Sequence, residues 1–498
     1  MSAKTNVLFF ITDQQRVDHL SCYGNQVLRT PNIDRIAEDG IRFTNYYCNT
    51  PICMPNRANF FTGSYPSVHG TRSNGINLNP NEKTIADSLR EKGYHTVSIG
   101  KTHFNFFSHP FTRKVSSLED IARWMAGNIP KPFPTPYYGF EEVLLTVGHG
   151  DVMGGHYFEW LKEQGYEELE KLKNRFLAIN ETYYETDLPE DLYPTYYITQ
   201  KSIEFLERYA QGTYDNKPFF LHCSFPDPHH PVCPPGQYKE LYSPEDVELP
   251  PSFDDAKNLL EHPFIGQHIK NARFRHLLPQ NVDKETTKRF TALTYGSISM
   301  IDDGIGAILN KLEELGLSEN TMIIFTSDHG DLCGDHGLIL KGPAHYRGLI
   351  NIPLLWKISG KTKNNVSDSL ISTIDLPKTI LNLLGIREKY HPKRMQGYDF
   401  SAVLENPEKK IRDQILIEHD EEISKDKIMR LRTLVTENYR YTLYDSVSEF
   451  GDIFNLKDDP YEMNNLWYKE NLRNQLNTRM LREIINLYPR YPERTAYN

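Results

Sequence analysis

The sequence predicts an α/β fold: a large domain built on a mostly parallel central β-sheet flanked by helices, then a smaller C-terminal α+β domain with an antiparallel sheet and a helix. Three observations carry this reading. Continuous apolar runs such as Val7-Leu8-Phe9-Phe10-Ile11 and Met322-Ile323-Ile324-Phe325 read as strands buried on both faces, as in parallel sheets covered by helices. Segments with helical spacing of apolar residues separate such runs, the alternation that βα units require. From about residue 390 the pattern changes to short alternating strands. At 498 residues the chain exceeds one ordinary core, and we divide it at 1–390 and 391–498.

Taken in order, residues 6–13 form an apolar strand that ends in Asp13 and Gln14, where open α/β sheets bind ligands. Residues 30–40 predict a short helix, with Thr30 as N-cap, Pro31 in the first turn and Gly40 as the stop. A strand-like stretch, 41–47, leads to Pro51-Ile52-Cys53-Met54-Pro55-Asn56-Arg57. A helix is expected to begin there, with Pro55 in its first turn and Gly63 closing it. Cys53 would then lie at a helix N-terminus, where unpaired N–H groups favour an anion, and Arg57 adds a cation one turn later. A helix over 83–92 and a strand over 96–100 deliver Lys101 and His103 to a second strand end.

Residues 105–195 mix Pro, Tyr, Phe and charge without a sustained period and read as loops and insertions; His149 and His156 there read as packing or solvated residues. Helix 197–209 feeds strand 218–225, which ends at Asp227-Pro228-His229-His230-Pro231. After a charged connection, 235–285, a helix over 288–315 carries Ile298, Ile301, Ile305, Ile308 and Leu312 at helical spacing, a core stripe. Strand 321–327 delivers Asp328-His329-Gly330-Asp331, and Lys341 follows. Residues 351–356 read as another buried strand and 376–384 as a helix. The C-terminal part offers strands 414–419, 430–436 and 439–444, a turn at Glu437-Asn438, and a helix over roughly 466–488.

Composition narrows the function. Hydrophobic residues make up 39% and charged residues 24%, as in globular proteins. With 56 Lys and Arg against 66 Asp and Glu, the formal charge is −10. That excludes a global attraction to nucleic acid and makes any anion site a local cluster of cations. No apolar run approaches a membrane span, so no membrane association is expected. Met1-Ser2-Ala3-Lys4-Thr5-Asn6 leads directly into the first strand without a signal-peptide apolar region, from which a cytoplasmic location is expected. Six scattered cysteines form no disulfide framework.

The pattern Cys53-x-Pro55-x-Arg57 with Thr62-Gly63 resembles the signature of the type I sulfatases, the formylglycine-dependent branch of the alkaline phosphatase superfamily. Gly100-Lys101-x-His103 and Pro228-His229-x-Pro231 resemble further motifs of that family, as does the tail around Asp459-Pro460-x-Glu462. The resemblance implies an alkaline phosphatase-like fold, and hydrolysis of an organic sulfate monoester by formylglycine made from Cys53. It implies a formylglycine-generating maturation enzyme as a partner, and one divalent metal, commonly Ca²⁺, on Asp13, Gln14, residue 53, Asp328 and His329. Two carboxylates with an amide oxygen suit a hard cation, and the His329 imidazole admits Mn²⁺ or Zn²⁺, with Mg²⁺ also open. Arg57 and Lys101 would hold sulfate and hydroxyl oxygens, His229 or Lys341 would assist the leaving alcohol, and His103 would act as base. The pairs Asp13-Gln14 and Asp328-His329 look like those of choline sulfatases and phosphonate monoester hydrolases. Hydrolysis of phosphonate monoesters or phosphodiesters is therefore the alternative, while Gly100-Lys101-x-His103 favours sulfate. The resemblance implies a small-molecule or carbohydrate sulfate ester as substrate, and homo-oligomerisation is left open.

Overall fold

Strand β1 (Asn6–Thr12) is buried along its whole length because it has neighbours on both edges and helices on both faces. The computed structural model describes residues 5–108, 116–178, 181–270, 280–424 and 427–488. Around β1 the sheet gathers β2 (Ile41–Phe43), β3 (His95–Gly100), β4 (Glu142–His149), β5 (Val152–Gly155), β6 (Phe219–Ser224), β7 (Thr321–Ser327), β8 (Leu354–Lys357) and β9 (Asn365–Ser367). Their order is β9-β2-β8-β7-β1-β6-β3-β4-β5. β1 pairs in parallel with β6 and β7, Val7 lying opposite Phe220 and Met322, and β3 pairs in parallel with β6 and β4. The strand expected over 351–356 is shorter and antiparallel to both β2 and β7.

The pleat sends alternate side chains of β1 to opposite faces. Val7, Phe9 and Ile11 join Phe60 and Phe61 of α2 (Cys53–Thr62). Leu8 and Phe10 face the stripe Ile301, Ile305, Ile308 and Leu312 of α3 (Lys284–Glu314), together with Phe205 and Leu206 of the helix Pro194–Ala210. Each such fully buried side chain contributes roughly 1.5–3 kcal/mol. The expected helix after Thr30 forms as α1 (Pro31–Glu38), but the Thr30 hydroxyl turns to Ser21 and Asp34. Its cap comes from α3 instead: the Asp302 carboxylate accepts the N–H groups of Asn32 (3.1 Å) and Ile33 (2.7 Å).

The reading of 105–195 as loops is corrected by β4 and β5, which extend the main sheet, and by the helices Ile121–Met125, His156–Glu163 and Leu169–Ala178. The sequence obscures them because glycines interrupt the period at Gly148, Gly154 and Gly155; a Cβ at Gly148 or Gly155 would strike backbone across the hairpin, and one at Gly154 would press on Trp124 of the neighbouring helix. Residues 109–115, 179–180 and 271–279, within stretches read above as loops or charged connection, lie outside the described residues. The C-terminal strands form an antiparallel sheet, β10 (Gln414–Ser424), β11 (Lys427–Thr436), β12 (Tyr439–Tyr444) and β13 (Gly451–Asn455), in chain order. The helix Glu470–Asn486 packs Leu476 and Met480 on it. Among the described residues no helix is long and apolar enough to cross a membrane.

Candidate active site

The C-terminal ends of β1, β3, β4, β6 and β7 meet the N-terminus of α2. Ile52 is the extended N-cap, Cys53 is the first helical residue, and Gly63 closes the helix in the left-handed region at φ 67°, a conformation glycine adopts without strain. The thiol is 1% exposed. One ligating atom from each of Asp13, Cys53, Asp328 and His329 lies within 4.8 Å of the others. Cys53 Sγ is 3.1 Å from His329 Nε2 and 3.7 Å from Asp13 Oδ1. His329 Nε2 is 3.6 Å from Asp13 Oδ1 and 3.7 Å from Asp328 Oδ1.

Gln14 completes this group. Its backbone is held at φ 63°, strain of the kind that concentrates at functional sites, and its N–H donates to Asp328 Oδ1 at 3.1 Å. Its Nε2 donates to Asp331 Oδ2 at 2.5 Å and lies 3.1 Å from His230 Nδ1. That leaves Oε1 as a buried oxygen without a hydrogen-bond partner. Two carboxylates, an imidazole nitrogen and an orphaned amide oxygen fit a divalent cation of hard to borderline character.

Three buried or half-buried cations surround the carboxylates. Arg57 donates from Nε to Asp328 (2.9 Å), from Nη2 to Asp13 (3.3 Å), and from Nη1 to Lys101 O (2.8 Å) and Ser224 Oγ (2.9 Å). All three of its nitrogens thus serve protein groups, and its geometry is that of a brace between the two carboxylates. Lys101 Nζ donates to Asp13 and lies 2.6 Å from His149 Nε2. Gly100 fixes the approach of Lys101: at φ 104° a Cβ there would sit 1.9 Å from Ser224 O. Lys341 Nζ is 2.7 Å from Cys53 Sγ, 3.0 Å from His229 Nε2 and 3.1 Å from His329 Nε2.

Burial drives the charges here. It raises the Asp13 carboxyl, but Lys101 and Arg57 outweigh it and hold Asp13 well below the usual range. Burial and Asp13 push the Cys53 thiol up to about 11. Burial and Lys341 bring His329 down to about 4, and His103, His149 and His229 are also pushed well below the ordinary imidazole value. Lys341 is raised because Cys53 and Asp13 overcome the cost of burial.

Asp13, Gln14, Cys53, Arg57, Lys101, His229, Asp328, His329 and Lys341 therefore converge. His103 sits one ring further out. It stacks on Phe107 at 3.7 Å and faces His149 at 6.4 Å, with a buried Nδ1 that has no hydrogen-bond partner. Two residues escaped the sequence reading. His149 ends β4 and stacks on His229 at 3.6 Å; the signal was its place at a strand end, hidden because β4 itself was not recognised. Asp331 was visible only as part of a charged run, and its role depends on Gln14.

The surroundings of this site have counterparts elsewhere. The family model described as Sulfatase matches residues 5–386, and that described as N-sulphoglucosamine sulphohydrolase, C-terminal, matches residues 334–489. An arylsulfatase of Clostridium perfringens is 29% identical over 97% of this chain and 94% of its own. A multifunctional alkaline phosphatase superfamily protein, PehA of Trinickia caryophylli, is 28% identical over 93% and 91%. In fold, the phosphonate monoester hydrolase of Agrobacterium radiobacter superposes with a TM-score of 0.79 at 23% identity, covering 98% of this chain and 97% of that one. With more than half its length inside the family model, this chain belongs to the sulfatase family, and it is an enzyme of sulfate ester hydrolysis.

Proposed function

We propose that the protein hydrolyses an organic sulfate monoester to an alcohol and inorganic sulfate, with formylglycine derived from Cys53 as nucleophile and one divalent ion, Ca²⁺ foremost. The observation that carries this is the convergence of Asp13, Cys53, Asp328 and His329 within 4.8 Å, with the Lys341 ammonium 2.7 Å from the residue 53 side chain. Cys53 Sγ stands in for the formylglycine hydroxyls. The metal would be held by Asp13, Gln14, Asp328 and His329. When bound, it polarises the sulfate group and stabilises an oxygen nucleophile.

The chain's own residues do the rest. Lys101 and Lys341 present ammonium groups to an incoming anion, and such charge-assisted bonds are strong in a site that excludes water. Arg57 keeps the two carboxylates apart and oriented. His229 Nδ1 bonds to His230 O, which leaves Nε2 facing Lys341. Lys341 carries the proton in this pair, and the leaving alcohol oxygen takes a proton from the pair as the S–O bond breaks. His103, kept neutral by burial, accepts a proton when sulfate is released from residue 53.

Hydrolysis of phosphonate monoesters or phosphodiesters is the second reading, supported by the Asp13-Gln14 and Asp328-His329 pairs. Turnover of p-nitrophenyl sulfate exceeding that of p-nitrophenyl phenylphosphonate supports the first; the reverse order supports the second. The nucleophile is tested by mass spectrometry of the tryptic peptide 43–57, which contains both Cys48 and Cys53. Sulfur replaced by an aldehyde oxygen at residue 53 is expected; an intact thiol in active protein overturns the formylglycine reading.

A further inference from the structure

Arg16 touches none of the groups that would meet substrate, yet it is 7% exposed and every nitrogen of its guanidinium is engaged. Nε and Nη2 form a fork on Asp18, both bonds 2.7 Å. Nη1 reaches across to the loop after β7, donating to Asp331 O (2.9 Å), Leu332 O (2.8 Å) and Asp335 Oδ2 (2.7 Å). One side chain therefore ties the loop after β1, which carries Asp13 and Gln14, to the loop after β7, which carries Asp328 and His329.

The tie continues into the Gln14 amide. Asp331, whose carbonyl Arg16 holds, has its Oδ1 fixed by the N–H groups of Cys333 (2.7 Å) and Leu340 (2.9 Å). Its Oδ2 accepts the hydrogen bond from Gln14 Nε2. With the nitrogen so held, the unpartnered Oε1 of Gln14 is the only oxygen the amide can turn toward a cation. Gly348 packs against the far side: a Cβ there would lie 2.0 Å from Arg16 Nη1 and 2.2 Å from Asp335 Oδ2.

Building on the metal reading above, we propose that Arg16 is a positioning residue for the divalent ion. It fixes the separation of the two ligand loops and, through Asp331, the orientation of the Gln14 carbonyl. Lysine cannot reproduce this, because one ammonium cannot fork onto Asp18 and also reach two carbonyls on the other loop.

The test is equilibrium dialysis of chelator-treated protein, folded by circular dichroism, against Ca²⁺ and separately Mn²⁺. The proteins compared are the parent, Arg16→Lys and Asp18→Asn, the last removing only the outer half of the clamp. The expected result is one equivalent bound by the parent and a dissociation constant roughly 10- to 100-fold higher in Arg16→Lys, the range for partners that orient ligands. A smaller increase is expected in Asp18→Asn, and kcat should recover in both at saturating metal. Unchanged metal affinity in folded Arg16→Lys overturns the proposal; should that variant fail to fold, unchanged affinity in Asp18→Asn does so. A parent that binds neither ion overturns the metal reading itself.

Discussion

The Lys341 ammonium lies 2.7 Å from Cys53 Sγ and at the same time 3.0 Å from His229 Nε2, so one cation is shared by residue 53 and the His229 imidazole. Replacing it with the unbranched but neutral Lys341→Met should lower kcat by about 10²- to 10⁴-fold, as loss of acid catalysis does. The loss should be larger for an alkyl sulfate than for p-nitrophenyl sulfate, whose leaving group needs little protonation. Equal losses on the two esters would argue against proton donation.

His149 holds two catalytic candidates in place, accepting from Lys101 at 2.6 Å and stacking on His229 at 3.6 Å. His149→Ala releases both. We expect kcat/KM for p-nitrophenyl sulfate to fall about 10- to 100-fold, with partial recovery in His149→Gln, which restores an acceptor for Lys101 but not the stack.

Arg57 compensates two buried carboxylates. Removing one partner of a buried ion pair typically costs about 3–5 kcal/mol because the other charge stays buried. In Arg57→Met a divalent ion would take over that compensation. The rise in Tm on adding Ca²⁺ to chelator-treated protein should therefore be larger in the variant than in the parent, as differential scanning fluorimetry would report.

The Asp302 cap on helix Pro31–Glu38 carries a pH signature. Burial raises its pKa from 3.8 to about 6, against the lowering effect of the Ile33 and Asn32 N–H groups. A carboxyl raised in the folded state contributes stability that is present below about pH 4 and is lost as pH climbs through 6. At about 1.4 kcal/mol per pH unit, the loss is at most roughly 3 kcal/mol. Urea unfolding at pH 5 and 7.5 should show the parent losing stability relative to Asp302→Asn. A difference that does not change with pH would contradict the shift.

Much of the site was legible because β1 and β7 each carry an apolar run (Val7–Ile11, Met322–Phe325) and β3 a β-branched, alternating stretch, each followed within three residues by a charge, so Asp13, Lys101 and Asp328 could be placed at strand ends before any partner was known. Cys53 was legible through Pro55 and Gly63, which mark the two ends of α2. What was not legible depends on partners distant in sequence. The Arg57 brace requires Asp13, Asp328 and Ser224. His149 gains meaning only beside Lys101 and His229, and its strand was masked by Gly148. Asp302 replaced the expected Thr30 cap because α3 crosses that helix start, a tertiary contact that no local pattern encodes.

The parallel pairing of β1 with β6 and β7 has a consequence for the newborn chain. The central strand leaves the ribosome long before its two neighbours, Phe219–Ser224 and Thr321–Ser327. Asp328, His329 and Lys341, which cover Cys53 in the finished fold, come later still. At translation rates of about 5–20 residues per second, that interval is on the order of tens of seconds. The elements that bury Cys53 in the finished fold are not yet made during that interval, so an enzyme that modified this thiol would have to act before the sheet closes. Codon usage, chaperone residence and the folding rate of β7 thus set how long that window lasts.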